Sequence, residues 1–153
     1  GKLAAKGWTV GTAESCTGGG IAAALTAVPG SSACVRGGIV AYAEEMKVRL
    51  LGVSPETLKV YGVVSEQTVI EMAQGAMKSM NSDCGVATSG IAGPTGGTPD
   101  KPVGTVWIAV TIGEKVMTMK ASGDEGRKKN IENATLYALQ MLLKLFQNQE
   151  NEQ

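Results

Sequence analysis

The sequence predicts an α/β layered domain built on a mixed sheet, and three observations carry that prediction. Short apolar stretches of strand character alternate with segments of helical periodicity along most of the chain. Residues 103–112 and 115–121 then alternate around Gly113-Glu114, the pattern of a β-hairpin, which forces at least one antiparallel pair. The length of 153 residues suits one domain with a substantial core, so residues 1–153 are read as a single domain.

Taken in order, residues 3–7 read as the last turn of a helix stopped by glycine, so native sequence is expected before them. Residues 8–12 are a short strand, and the Ala- and Leu-rich residues 21–28 form a helix. Pro29-Gly30-Ser31-Ser32 is a turn, and residues 34–42 form a strand with a close-approach point at Gly37-Gly38. A short helix over 43–52 stops at Gly52. Ser54 with Pro55 opens the next, because serine caps and proline suits the first helical position. Ser65 caps a helix to about Met80, with Val69, Ala73, Ala76, Met77 and Met80 on its core stripe. Residues 83–89 form a short apolar strand running into a glycine-rich loop. The last helix spans about 125–146, with Ile131, Ala134, Ala138, Leu142 and Leu145 inward, and the polar tail 147–153 is expected to fray.

Composition excludes several function classes. Fourteen basic residues balance fourteen acidic ones without a basic block, and only six residues are aromatic, which argues against nucleic-acid or membrane-surface partners. No apolar run reaches the ~20 residues of a membrane-spanning helix. Three cysteines without CxxC spacing point to neither a disulfide framework nor a zinc site, and favour a reduced, cytoplasmic compartment. The 21 glycines cluster in loops, where backbone must approach something closely. Histidine is absent altogether, so no Ser-His-Asp triad, Cys-His dyad or His-bearing metal site exists here.

The chemistry centres on Ala13-Glu14-Ser15-Cys16-Thr17-Gly18-Gly19-Gly20, where an extended segment becomes a helix. Such a junction presents unpaired N–H groups, and glycines let an anion approach them. The same residues also suit a plain helix cap and tight turn. Ser15 is the candidate nucleophile if a base other than histidine is within reach. Tyr42 and Lys47, at the next strand end and the following helix's first turns, are the pair available, and partial burial there lowers a lysine's pKa toward that of a neutral amine base. A backbone-bonded Tyr42 and a solvated Lys47 would satisfy the same pattern. Cys16 is the rival nucleophile, but on an extended backbone it points away from Ser15, toward the core. Residues 89–101 lack the spacing of a Walker A or dinucleotide fingerprint, so neither ATP nor NAD is indicated. Arg127 and Lys129, at the start of the last helix, stand where an anion would be clamped. Outside the carboxyl ends of parallel strands, the loops 14–20, 42–47 and 89–101 are expected to line one pocket.

Several segments together, AESCTGG at 13–19, PGSS at 29–32, the stretch 42–47 with LLGVSPE at 50–56, GVVSE at 62–66, SGIAGPTGG at 89–97 and KPVGTVWIAV at 101–110, resemble the C-terminal domain of the CinA competence/damage-inducible family. The resemblance implies a three-layer α/β/α sandwich around a mixed, mostly parallel sheet. It implies an amidase that converts nicotinamide mononucleotide to nicotinate mononucleotide and ammonia, with no cofactor and no metal. It places the nucleophile at Ser15 and its tyrosine and lysine at Tyr42 and Lys47. Thr17, Gly18 and Gly19 would supply oxyanion donors, while Ser89, Gly90 and Gly93 of the glycine-rich loop and Arg127 would hold the substrate. A homo-oligomer is expected. The competing function is a catalytically silent nucleotide- or phosphate-binding module, and a weaker third is a redox protein acting through Cys16.

Overall fold

The computed structural model describes residues 1–152. Five strands form one sheet: β1 (Val10–Glu14), β2 (Val35–Val40), β3 (Cys84–Gly90), β4 (Val106–Ile112) and β5 (Lys115–Ala121), in the order β2-β1-β3-β4-β5. β1 lies parallel to both β2 and β3, while β4 runs antiparallel to β3 and β5 antiparallel to β4. The carboxyl ends of β2, β1 and β3 therefore share one edge of the molecule, and the loops that follow them converge there.

Helices cover both faces. α1 (Lys2–Lys6) ends at Gly7, which adopts the left-handed conformation that glycine enters without steric cost. α2 (Gly20–Thr26) and α6 (Arg127–Asn151) pack on one face; α3 (Glu44–Leu51) and α5 (Glu66–Met80) cover the other, with α4 (Pro55–Tyr61) against α5. The architecture is thus the expected three-layer sandwich. Period-two alternation divides the core accordingly: Val106, Ile108, Val110 and Ile112 of β4 face α6, and Ala109 faces α5. The α6 face is rich in large side chains. Met141, Leu142, Leu145 and Phe146 are all buried, each contributing about 1.5–3 kcal/mol relative to exposure. The α5 face is built from small residues and close backbone approach, since a Cβ at Gly85 would collide with the Ala73 carbonyl and one at Gly75 with the Leu51 carbonyl.

Local signals set most helix ends. Ser54 accepts from the Glu56 amide at 3.2 Å, Ser65 from the Thr68 amide at 3.2 Å, and Gly52 and Asn81 close α3 and α5 in left-handed conformations. The core stripe of α5 is Val69, Met72, Ala73 and Ala76, with Met77 and Met80 only partly buried. Several boundaries differ from expectation, α2 for one ending at Thr26 and not at Val28. β1 is displaced toward the C-terminus and includes Glu14, because the strand continues pairing with β2 as far as Val40. β2 stops at Val40, leaving Tyr42 in the connection to α3. β4 begins at Val106, since a turn closed by Thr105 N–H to Pro102 O at 3.0 Å precedes it. α6 continues to Asn151, through much of the tail expected to fray; Gln153 lies outside the described residues. Among the described residues no helix is long and apolar enough to cross a membrane.

Candidate active site

At the end of β1 the chain leaves the sheet through Ser15 and re-enters helical geometry at Gly20. The Glu14 side chain, 1 % exposed, governs that passage. Its Oε1 accepts from Thr17 Oγ1 at 2.7 Å and the Ile21 amide at 2.8 Å; its Oε2 accepts from the Ala22 amide at 2.9 Å and Thr12 Oγ1 at 3.2 Å. Four donors replace the water a buried carboxylate loses, and the loop is clamped at both ends. The expectation that the amides opening α2 stand ready for an anion is corrected by this contact. Ile21 and Ala22 are already paired, Gly18 N–H donates to Ser15 O at 3.0 Å, and Gly20 N–H to Thr17 O at 2.9 Å. The Thr17 hydroxyl spends its proton on Glu14 and takes one from Thr88 at 2.8 Å, so this side chain builds the loop and does not face the cavity.

Ser15 itself is 8 % exposed and meets Lys47. Lys47, in the first turns of α3, is fully buried, and its Nζ lies 3.1 Å from Ser15 Oγ, 2.8 Å from Ala41 O and 3.0 Å from Tyr42 O. Burial lowers its pKa, against the opposing pull of the nearby Glu44 charge and of Cys16. As an ammonium Nζ donates to all three oxygens; as the neutral amine, which the lowered pKa brings closer, it donates to the two carbonyls and turns its lone pair to the Ser15 hydroxyl.

Tyr42 lines the same cavity as Ser15 and Lys47. Its side chain is 61 % exposed, and its hydroxyl accepts from Arg127 Nη2 at 3.3 Å. The Tyr42 atom that meets Lys47 is its main-chain carbonyl, while its phenol turns to Arg127. Arg127 also donates from Nη1 to Gly93 O at 2.6 Å, tying the start of α6 to the glycine-rich loop. Asn130, which sequence reasoning passed over, holds the same junction. Its Nδ2 donates to Ala92 O and Asp124 Oδ1, both at 3.0 Å, and its Oδ1 accepts from Glu125 N–H at 2.9 Å. The Gly126 amide, which donates to Asp124 Oδ1 at 2.9 Å, and after it Asn130 Nδ2 hold the Asp124 carboxyl below its usual range.

A cavity of about 180 Å³ opens between these groups, walled by Ser15, Cys16, Tyr42, Glu44, Lys47, Val63, Val64, Ser89, Gly90, Ala92 and Arg127. Of the expected residues, the structure brings together Ser15, Tyr42, Lys47, Ser89, Gly90 and Arg127. Gly93 touches this group through Arg127, and Thr17, Gly18 and Gly19 stand behind the wall. Ser89 turns its hydroxyl to Val63 O at 2.8 Å, bracing the wall. Cys16 is buried at the cavity's edge, and burial pushes its thiol up to about 11, which disfavours the thiolate that redox or nucleophilic chemistry uses. Glu14 and Glu44 were the omissions of consequence. The first carried a signal in its position one residue before the nucleophile, at a strand end feeding a helix.

Residues 1–146 match the family model of the CinA C-terminal domain. The chain is 48 % identical over 147 residues to nicotinamide-nucleotide amidohydrolase PncC of Escherichia coli strain K12, covering 94 % of this chain and 88 % of that protein. It is 50 % identical over 125 residues to a competence-damage inducible protein of Acetivibrio thermocellus, covering 80 % of this chain but only 30 % of that longer protein. Among solved structures, the competence/damage inducible protein CihA of Agrobacterium tumefaciens superimposes with a TM-score of 0.92 at 44 % identity, over 94 % of this chain and 88 % of that one.

Proposed function

The chain belongs to the CinA C-terminal domain family, and we propose that it is an amidohydrolase that converts nicotinamide mononucleotide to nicotinate mononucleotide and ammonia, with Ser15 as nucleophile and Lys47 as base. The observation that carries this reading is the 3.1 Å contact between Lys47 Nζ and Ser15 Oγ at a buried amine whose other two bonds go to main-chain carbonyls. The identity to PncC supports the substrate.

In this reading Lys47 takes the Ser15 proton as Oγ bonds to the carboxamide carbon, and the carbonyl oxygen becomes an oxyanion. Main-chain amides of the turn that follows Ser15 are the donors to it. Lys47 returns the proton to the departing nitrogen as the C–N bond breaks, and ammonia leaves. Water, deprotonated by the same amine, then cleaves the acyl-serine ester. The cavity is smaller than a typical whole-ligand pocket of ~300 Å³ or more, so it takes the ring and its carboxamide while the ribose phosphate extends outward past Arg127.

Ammonia release from the mononucleotide tests the assignment. Ser15→Ala is expected to lower the rate by roughly three orders of magnitude or more, and Lys47→Met by roughly 10²–10⁴-fold. Unchanged turnover in the first variant removes Ser15 as nucleophile; unchanged turnover in the second removes Lys47 as base.

A further inference from the structure

The charges lining the cavity are arranged unevenly. Three of its wall residues are ionisable: Lys47, Glu44 and Arg127. Lys47 is bonded to Ser15 and two carbonyls, and Arg127 to Gly93 O and Tyr42 Oη. Glu44, at the first position of α3, makes no hydrogen bond or ion pair among the described residues, whereas its neighbour Glu45 pairs with Arg49 outside the cavity wall. Glu44 precedes Lys47 by three residues in α3, a spacing that puts the two on one side of the helix, and both line the cavity. Arg127 reaches the cavity from the start of α6, held by Gly93 O and Tyr42 Oη. An anionic group on the helix of Lys47 and a cationic group brought in from α6 form a matched receptor for a ligand that carries both charges.

Resting on the amidohydrolase reading above, we propose that Glu44 is a specificity-determining residue that recognises the positive charge of an N-alkylated pyridinium carboxamide. Such a ring places its cation beside the carboxamide, while its phosphate lies at the far end of the ribose. A substrate with this polarity is oriented by both charges at once, carboxamide toward Ser15 and phosphate toward Arg127. A neutral amide of the same shape gains nothing from Glu44.

The test uses Ser15→Ala protein, in which ligand binding is separated from turnover, with and without Glu44→Gln. Dissociation constants are measured for nicotinamide mononucleotide and for its reduced form, whose dihydropyridine ring is uncharged. Glu44→Gln is expected to weaken the oxidised ligand about fivefold, the scale of a partly exposed charge pair, and to leave the reduced ligand unchanged. Glu45→Gln, which changes the same charge one residue away, is the control and should move neither. Equal weakening of both ligands, or of neither, overturns the role of Glu44. Wild-type ammonia release is measured alongside: a wild type that turns over the mononucleotide while the two ligands respond alike defeats this inference alone. A wild type without turnover defeats the amidohydrolase reading and this one with it.

Discussion

Two helices begin at the edge of the site, and they treat their first amides in opposite ways. α2 opens behind Gly19 with the buried Glu14 carboxylate on the amides of Ile21 and Ala22. α6 opens behind Gly126 with no side-chain cap and places Arg127 first, a guanidinium where helix polarity alone favours an anion. One start is saturated by the protein and serves only to hold the loop that carries Ser15. The other sends a cation across to the glycine-rich loop and Tyr42, leaving it half free at the cavity mouth. A glycine-flanked helix start is therefore no guide by itself to where an anionic ligand binds; what decides it is the charge the neighbouring strand end brings.

The sharpest way to break that contrast is Glu14→Gln. An amide retains the shape but turns an N–H₂ toward donors, so at least one buried donor loses its acceptor, at about 1–3 kcal/mol each. A stability loss of about 2–3 kcal/mol is expected in urea denaturation, together with a lower turnover number. A variant as stable as wild type would show that the α2 start does not depend on its carboxylate. Arg127→Ala should do the opposite. Its side chain is largely solvated, so stability changes little, but the KM for the mononucleotide rises roughly tenfold with the turnover number nearly kept, as for loss of a charged contact worth about 1.5 kcal/mol. A large loss of stability with KM unchanged would make Arg127 a structural strut like Glu14.

The smallest effect is a shift along the pH axis. A base acts when unprotonated, so activity rises as pH climbs through the Lys47 pKa and is lost below it. Because burial lowers that pKa, the acid limb should lie below the range of an exposed lysine. Removing the Glu44 charge, which raises the Lys47 pKa, should move the limb to still lower pH. A profile that Glu44→Gln leaves in place would separate the two groups electrostatically.

Much of this was readable in advance. The alternation of elements, the hairpin, and the caps at Ser54, Ser65 and Gly52 are statements about neighbouring residues, and backbone conformation answers mainly to neighbours. The absence of histidine narrowed the base to Lys47 or Tyr42, and the Lys47–Ser15 contact joins residues 32 positions apart that follow adjacent parallel strands, a consequence of sheet order. Tertiary structure decided the rest. Whether Tyr42 offers its phenol or its carbonyl to Lys47 depends on where β2 stops. Arg127 reaches Gly93 and Tyr42, 34 and 85 residues away, because α6 crosses the sheet to that edge. Glu14 lies in the strand and not in the loop because β1 keeps pairing for two residues longer than its apolar pattern suggested. Sequence by itself determined which groups are available and which local turns they stand on. Only the packed sheet, by choosing which loops share an edge and how much water remains there, decided which partner each long polar side chain meets and what charge it carries.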